Sequence, residues 1–260
     1  GAAGAPGQEI RQVGSDVAAG EMVLGRGERL GPAEVGLLAT VGAQFVDAAR
    51  RPLVAVLSTG DEVVDGFSGV DPGLGQIRDA NRPMLLAAAS AAGADILDLG
   101  IAGDEEGSLE KAIAAAVSAG ADVLLTSGGV SMGDFDYVKA VLDSVGDMRW
   151  MQIAIKPAKP LAFGTIGNTP VFGLPGNPVS SMVSYELFAR PGLRAMMGFP
   201  EPIRTTIQGV AAEPLVRHRD GKTHYSRVSA SYQDGRILVR SVTGQGSHML
   251  TSMARSNALA

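Results

Sequence analysis

Glycine-rich and charged segments follow the short apolar runs in the middle of this chain, and their residue types suit the binding of an anion. The run that ends at Thr126 is followed by Ser127, Gly128 and Gly129. Paired glycines directly after a buried strand let backbone amides approach an anionic group closely. This segment therefore predicts a phosphate or pyrophosphate site.

Acidic residues follow two neighbouring apolar runs and could bind a divalent ion or transfer protons. Gly60 and Glu62 come after the apolar run Leu53–Ser58, and Asp104 comes after the run Ile96–Ile101. Asp136 lies shortly after the paired glycines, where Mg²⁺ would be held beside a phosphate. Each carboxylate has an alternative interpretation, because acidic residues also stabilise ordinary turns and the first turns of helices.

Two proline-containing segments complete the set of candidate binding loops. Lys156 and Lys159 flank prolines, so a stiff backbone would present their ammonium groups to a phosphate or another oxyanion, although exposed lysines are usually only solvated. The segment Pro175–Pro178 opens a helix with its second proline, which would point free amides at a ligand. The histidines do not form a convincing metal set, because they occur in different local contexts: His218, His224 and His248.

The elements that position these segments alternate between short aliphatic runs and Ala-rich amphipathic stretches, a pattern typical of an α/β fold. We predict a three-layer α/β/α sandwich with a mostly parallel sheet. The predicted strands are Leu53–Ser58, Ile96–Ile101, Asp122–Thr126, Trp150–Ile155, Leu161–Thr165 and Val171–Leu174, and the predicted helices are Arg82–Ala92, Glu105–Ala119, Phe135–Val145 and Val179–Phe188. Parallel sheets bind ligands outside the carboxyl ends of their strands, and all the candidate segments fall on that edge.

The rest of the chain divides into two smaller regions. Residues 1–50 are interpreted as the remainder of an N-terminal or linker domain, with a short helix that begins at Pro32. The α/β domain covers residues 51–200. Residues 201–260 have a period of two and a hairpin turn at Asp234-Gly235, which predicts a small C-terminal β domain.

Bulk composition excludes several classes of function. The net charge of −5 does not favour nucleic acid or an anionic membrane as a partner. The absence of cysteine excludes thiolate chemistry, disulfides and cysteine-based zinc sites. The apolar runs are far too short to span a membrane. The sequence begins at Gly1 without an initiator methionine or a secretory signal, so we expect a piece of a longer cytoplasmic protein.

Nearly the whole chain resembles the molybdopterin molybdotransferase family, which includes bacterial MoeA and the E domain of gephyrin. The most specific pieces are Ser127–Ser131, within the matching stretch Thr126–Asp134, and Leu174–Ser180, in this order. The other matching stretches are Pro6–Arg11, Gly36–Gly42, Ser58–Glu62, Ile77–Arg82, Leu99–Asp104, Asp136–Lys139, Lys156-Pro157 and Gln245–Ser247.

The resemblance implies an enzyme that takes adenylylated molybdopterin and molybdate and, with Mg²⁺, releases molybdenum cofactor and AMP. It implies catalytic roles for Glu62, Asp104, Asp136 and Lys156, the three carboxylates also being linked to the metal. It implies pterin and phosphate contacts at Gly60, Ser127, Gly128, Gly129, Ser131, Lys159, Pro175, Gly176, Asn177 and Pro178. Ser180, Arg227 and Ser247 resemble positions near the molybdate.

The resemblance also implies a homodimer of the full-length protein and a molybdopterin adenylyltransferase domain or protein as a partner. Two alternatives stay open, namely the adenylyltransferase activity itself and a gephyrin-like scaffold that binds a receptor. One departure concerns the lysine segment, where Ala158 replaces a glycine of the family pattern. If that position has a positive φ, alanine would strain the loop and shift Lys159. Against the family pattern, we expect the chain to carry only the remainder of the elongated N-terminal region and a shortened C-terminal domain.

Overall fold

The computed structural model describes residues 7–103, 105, 107–130, 137–217 and 219–260, which form two compact units. One unit comprises Gly1–Ala49 with Gly198–Pro200, and the other comprises Arg50–Met197 with Glu201–Ala260. In the first unit, helix α1 (Pro32–Thr40) begins with proline at the position where a helix needs no amide hydrogen. The carboxylate of Glu34 accepts a hydrogen bond from the amide of Gly31 at 2.8 Å, which fixes the start of the helix.

The second unit contains the strands and the remaining helices. In chain order its strands are β1 (Leu53–Thr59), β2 (Val63–Val64), β3 (Ile77–Arg78), β4 (Asp95–Ala102), β5 (Val123–Ser127), β6 (Asp147–Gln152), β7 (Ile155–Lys156), β8 (Pro160–Ile166), β9 (Thr169–Leu174), β10 (Val210–Ala211), β11 (Thr223–His224), β12 (Arg227–Gln233), β13 (Arg236–Ser241) and β14 (Ala258–Leu259). Its helices are α2 (Asn81–Ala92), α3 (Ser108–Ser118), α4 (Tyr137–Val145), α5 (Pro178–Ser184), α6 (Arg190–Met196) and α7 (Leu250–Ala254), with a π-helical turn at Tyr185–Ala189 between α5 and α6.

Six strands form the main sheet in the order β4-β1-β5-β9-β8-β6. The first four are parallel, whereas β8 is antiparallel to both of its neighbours, so β6 again runs in the common direction. The ends of β1, β4, β5, β6 and β9 therefore lie on one side of the sheet, which we call the carboxyl edge. This architecture confirms the predicted α/β fold with a mostly parallel sheet.

Two apolar clusters fill the two faces of the sheet, which explains why its central strands are continuously apolar. One cluster joins β1, β5 and β9 to α2, the π-helical turn and α6 through residues such as Leu85, Tyr185 and Leu193. The other joins the opposite face to α3 and α4 through residues such as Ile113 and Leu142. Helices on both faces leave the carboxyl edge as the side on which loops can form a site.

The C-terminal residues form a second sheet with the order β10-β13-β12-β14. The predicted hairpin is present, and Asp234 and Gly235 have φ values of +48° and +75°, as its tight turn requires. β11 pairs in parallel with β7, so this region is hydrogen-bonded to the segment that carries the lysines.

Several predicted elements have other bounds in the structure, and α6, α7 and β14 were not predicted. The strand expected up to Ile155 divides into β6 and β7, because pairing with β8 ends at Gln152. The helix expected from Glu105 begins at Ser108. Among the described residues, no helix combines the length and the apolar character needed to cross a bilayer.

Candidate functional site

The loop after β5 has a backbone that only glycine adopts without strain. Gly128 and Gly129 have φ values of +99° and +62°. A Cβ atom at Gly128 would lie 2.8 Å from both the carbonyl oxygen and Oγ1 of Thr59, and one at Gly129 would overlap the side chain of Val138. The amide of Gly128 donates to the carbonyl of Leu174 at 3.1 Å, which joins this loop to the end of β9. The paired glycines are thus required for a close approach between loops.

The segment after β9 lies directly against the paired glycines. Pro178 is the first residue of α5, and Asn177 precedes it with an extended backbone. Pro175 is buried, whereas Gly176 and Asn177 are exposed. A Cβ atom at Gly176 would lie 3.8 Å from Cα of Gly128, so the two loops are in contact. The structure therefore brings the two predicted phosphate segments together.

A side chain that the sequence reasoning missed joins these loops. Nδ2 of Asn81, the first residue of α2, donates hydrogen bonds of 2.7 Å to Oγ of Ser127 and to the carbonyl oxygen of Gly176. Asn81 lies inside the Ile77–Arg82 stretch that carries part of the family resemblance, and that was the available signal.

The acidic segment after β1 also lies at the carboxyl edge. Gly60 has a φ of +122°, and its amide donates to the carbonyl of Ala102 at 3.1 Å, so the ends of β1 and β4 are adjacent. The carboxylate of Glu62 covers Gly60, where a Cβ atom would overlap it. An Asp61 Oδ1 atom lies 2.8 Å from the Cβ position of Gly103. Asp61 and Glu62 are exposed.

Several predicted residues lie outside the described residues: Asp104, Ser131, Asp136 and His218. Glu62 is therefore the one member of the predicted acidic set that the structure places. Within the described ranges, no group of three or more acidic or histidine side chains is close enough together to hold a metal ion.

The lysine segment has a buried centre between two exposed ammonium groups. Ala158 has a φ of +76° and is 3% exposed. Its methyl group belongs to an apolar cluster with Ile155 of β7 and with Val179 and Val183 of α5. The condition for strain is thus met, because a left-handed backbone disfavours any side chain. Lys156 and Lys159 themselves are exposed.

Arg227, at the start of β12, is a buried cation that is 1% exposed. Its Nε donates to Oγ of Ser252 at 3.0 Å, and its Nη2 donates to the carbonyls of Gly244 and Gly246 at 3.0 and 3.1 Å. Burial lowers the pKa of the Arg227 guanidinium. All of these acceptors are neutral, and among the described residues no carboxylate contributes to the pKa shift of Arg227.

The side chain of Gln245 fixes the backbone beside this arginine. Its Oε1 accepts from the amide of Arg227 at 3.0 Å, and its Nε2 donates to the carbonyl of Arg227 at 2.8 Å. Gln245 and Ser252 were not predicted as site residues, although Gln245 is part of a stretch that matches the family. These contacts could not be read from the sequence, because their partners are 18 and 25 residues away.

The three residues expected near an oxyanion belong to one connected region. Arg227 contacts Gly246, and the carbonyl of the next residue, Ser247, accepts a 3.0 Å hydrogen bond from the amide of Val179. Val179 precedes Ser180, which is 6% exposed near the start of α5. The backbone of Lys156 is joined to the same region by a 2.8 Å bond from the amide of Tyr225.

A cavity of about 640 Å³ opens in the C-terminal region beside this network. Its lining includes Lys222, His224, Ser226 and Gln245. Asp220 accepts a 2.8 Å hydrogen bond from His224, which lowers the pKa of the Asp220 carboxyl to about 2.

Comparison with protein families assigns three regions of the chain. The family described as "Probable molybdopterin binding domain" matches residues 55–195. The MoeA N-terminal region (domain I and II) matches residues 2–42, and the MoeA C-terminal region (domain IV) matches residues 209–260.

Curated relatives match almost the whole chain. A molybdopterin molybdenumtransferase of Haemophilus influenzae is 39% identical over 97% of this chain and 62% of its own length. Molybdopterin molybdenumtransferase 2 of Mycobacterium tuberculosis is 38% identical over 98% of this chain and 63% of its own length. Gephyrin of Dictyostelium discoideum is 35% identical over 98% of this chain and 40% of its own length. The chain thus spans less than two thirds of each relative.

Among solved structures, the chain is similar to a molybdopterin biosynthesis moea protein from Pyrococcus horikosii. The TM-score is 0.74 at 32% sequence identity, and the match covers 90% of this chain and 56% of that protein.

Proposed function

Because the chain belongs to the MoeA and gephyrin E-domain family, we propose that it inserts molybdenum into molybdopterin. In the proposed reaction, adenylylated molybdopterin and molybdate are the substrates, and molybdenum cofactor and AMP are the products. The curated relatives in Haemophilus influenzae and Mycobacterium tuberculosis carry the name molybdopterin molybdenumtransferase, which supports the assignment.

The observation that carries the proposal is the buried guanidinium of Arg227. A buried charge is costly unless an opposite charge compensates it, and the described partners of Arg227 are all neutral. Molybdate is a tetrahedral oxyanion that would supply the missing negative charge. The hydroxyl groups of Ser180 and Ser247 are proposed to donate further hydrogen bonds to its oxygens.

The paired glycines and the lysine segment are proposed to hold the phosphate part of the adenylylated substrate. The contact between the Gly128 and Gly176 loops places the backbones of both predicted anion-binding segments side by side. The exposed ammonium groups of Lys156 and Lys159 would neutralise charge that develops on the leaving phosphate.

Glu62, just after the end of β1, is proposed to supply one ligand to a divalent cation. The Glu62 carboxylate is exposed at the carboxyl edge, and carboxylate oxygens are the ligands that Mg²⁺ prefers. Glu62, Asp104 and Asp136 are the residues proposed to hold it. A bound Mg²⁺ would polarise the phosphoanhydride bond of the substrate.

The test is an assay of the full-length protein with adenylylated molybdopterin, molybdate and Mg²⁺. We expect AMP to be released together with active cofactor, in a reaction that requires molybdate. Arg227→Gln should raise the molybdate concentration required for half-maximal rate by at least about tenfold, the scale of one charged hydrogen bond. Arg240→Gln is the matched control, because Arg240 is an exposed arginine of the neighbouring strand β13.

Two other outcomes would contradict the proposal. Consumption of ATP to adenylylate free molybdopterin would favour the adenylyltransferase activity. Release of AMP that does not depend on molybdate would remove the role given to Arg227. The homodimer, the adenylyltransferase partner and the cytoplasmic location belong to the same proposal, and sedimentation of the full-length protein would test the dimer.

A further inference from the structure

Asn81 stands at the point where three segments of the carboxyl edge meet. Its Nδ2 carries two hydrogens, and the two bonds of 2.7 Å to Ser127 Oγ and to the Gly176 carbonyl use both of them. A third contact reinforces the junction, because Oγ1 of Thr59 donates to the carbonyl of Ser127 at 3.2 Å. One side-chain amide therefore joins the start of α2 to the loops after β5 and β9.

The orientation of the Asn81 amide follows from its partners. The Gly176 carbonyl can only accept, so the atom that faces it has to be nitrogen. The reversed amide would place two oxygen acceptors against each other. In the observed orientation Oδ1 is buried, and no donor among the described residues reaches it. An unsatisfied buried acceptor costs free energy, and an apolar side chain would pack here without that cost. The two hydrogen bonds from Nδ2 are therefore the reason for an asparagine at this position.

Hydrogen bonds of the neighbouring residues hold the backbone around Asn81. The carboxylate of Asp79, which is 5% exposed, accepts from the amide of Arg82 at 3.0 Å and from its Nε at 3.1 Å. The amide of Asp79 donates to the carbonyl of Val64 at 2.7 Å. These bonds fix the backbone on both sides of Asn81. They therefore restrict the positions that its side-chain amide can take relative to the loops.

The hydrogen bond from Asn81 determines the direction in which the hydroxyl hydrogen of Ser127 can point. Because Oγ accepts from Nδ2, its own hydrogen is directed elsewhere, and no described residue accepts that hydrogen. Ser127 is 3% exposed and immediately precedes the paired glycines. Its hydroxyl therefore acts as a hydrogen-bond donor beside backbone amides that favour an anion.

We infer that Asn81 is a positioning residue that fixes Ser127 as a donor to a phosphate oxygen of the bound substrate. The inference rests on the proposed function and adds the chemistry of one contact to it. The residue acts through Ser127 and does not touch the reacting atoms, and its second bond keeps the Gly176 loop against the paired glycines.

The experiment measures AMP binding to the full-length protein by calorimetry. Asn81→Leu fills a similar volume without a donor and should weaken AMP binding by about tenfold, as should Ser127→Ala. Because both substitutions remove the same oriented hydroxyl donor, the double variant should bind no more weakly than the poorer single variant. Should Asn81→Leu fail to fold, Asn81→Ser replaces it, since the shorter side chain cannot span both acceptors.

Thr169→Val is the matched control. It removes a 3.1 Å side-chain bond to the Ala121 carbonyl at the opposite edge of the same sheet and should leave AMP binding unchanged. The inference is wrong if Asn81→Leu binds AMP with wild-type affinity. It is also wrong if the loss of AMP affinity in the double variant is the product of the losses in the two single variants. The proposed function stands in both cases. A wild-type protein that does not bind AMP would instead remove the proposed function, and the inference with it.

Discussion

The paired-glycine loop and the surroundings of Arg227 are both dense in contacts, yet different forces shape them. At Gly128 and Gly129 the constraint is steric, because any Cβ atom would meet Thr59 or Val138. Around Arg227 the constraint is electrostatic, because one buried cation is held by three neutral acceptors. The first region requires residues without a Cβ atom, and the second requires a full set of hydrogen-bond acceptors for the guanidinium. Substitutions should therefore affect the two regions by different routes.

Gly129→Ala should give the largest loss of stability. The new methyl group would overlap Val138 and would also occupy a left-handed backbone, so the free energy of unfolding should fall by roughly 3 kcal/mol. Urea unfolding measures the loss. Gly167→Ala is the matched control, since Gly167 has a φ of +56° but nothing within 4 Å, and it should cost only about 1 kcal/mol. Equal losses for the two variants would show that the overlap with Val138 is relieved elsewhere.

Arg227→Lys should give the next largest effect. Lysine keeps the positive charge but cannot reach the acceptors on Ser252, Gly244 and Gly246 together, so the free energy of unfolding should fall by about 2 kcal/mol. The exposed Arg240→Lys should change it by less than about 0.5 kcal/mol. If Arg227→Lys is as stable as the wild type, the geometry of the hydrogen bonds does not contribute and the electrostatic half of the comparison is wrong.

Ala158→Gly tests the lysine segment, where steric and packing effects oppose each other. Relief of the left-handed backbone favours glycine by about 1–2 kcal/mol, whereas loss of a buried methyl group costs about 0.8 kcal/mol. We expect a net gain of about 0.5 kcal/mol, measured by thermal unfolding. The same substitution at Ala154, whose φ is not positive, should lower stability. A loss at both positions would mean that Ala158 is not strained.

Acid titration should give the smallest effect and should be confined to the C-terminal region. The pKa of the Asp220 carboxyl falls to about 2 because of the hydrogen bond from His224, from an unfolded value of about 3.9. Its stabilisation is therefore complete above about pH 4 and is lost as the pH falls towards 2. Asp220→Asn should flatten the dependence of Tm on pH in that window.

The steric region was the easier one to predict from sequence. The period of the apolar runs gave the strands and helices, because burial on both faces of a parallel sheet leaves a continuous signal. Glycine pairs after strands gave the loop, because the backbone requirement is local to the residues that satisfy it. The limits of the elements were less accurate, as at Ser108, where the helix begins three residues later than expected.

The hydrogen-bonded contacts were not predictable in the same way. Asn81 bonds residues that are 46 and 95 positions away, and no periodic pattern records such a pair. The network of Arg227 depends on Gly244, Gly246 and Ser252, whose carbonyl or hydroxyl groups carry no distinctive sequence signal. Residue types at the site could be predicted from motifs, whereas their bonding required the tertiary arrangement.

The pairing of β7 with β11 has a consequence for motion. It joins the lysine segment to the C-terminal region through a register of two residues, Ile155 with Thr223 and Lys156 with His224. Such a short ladder opens locally at a much lower free energy than the five-residue register between β1 and β5. Amide hydrogens of Thr223 and Tyr225 should therefore exchange with solvent through brief separations that leave the main sheet intact. A bound ligand should consequently slow amide hydrogen exchange more in the lysine segment than elsewhere along the carboxyl edge.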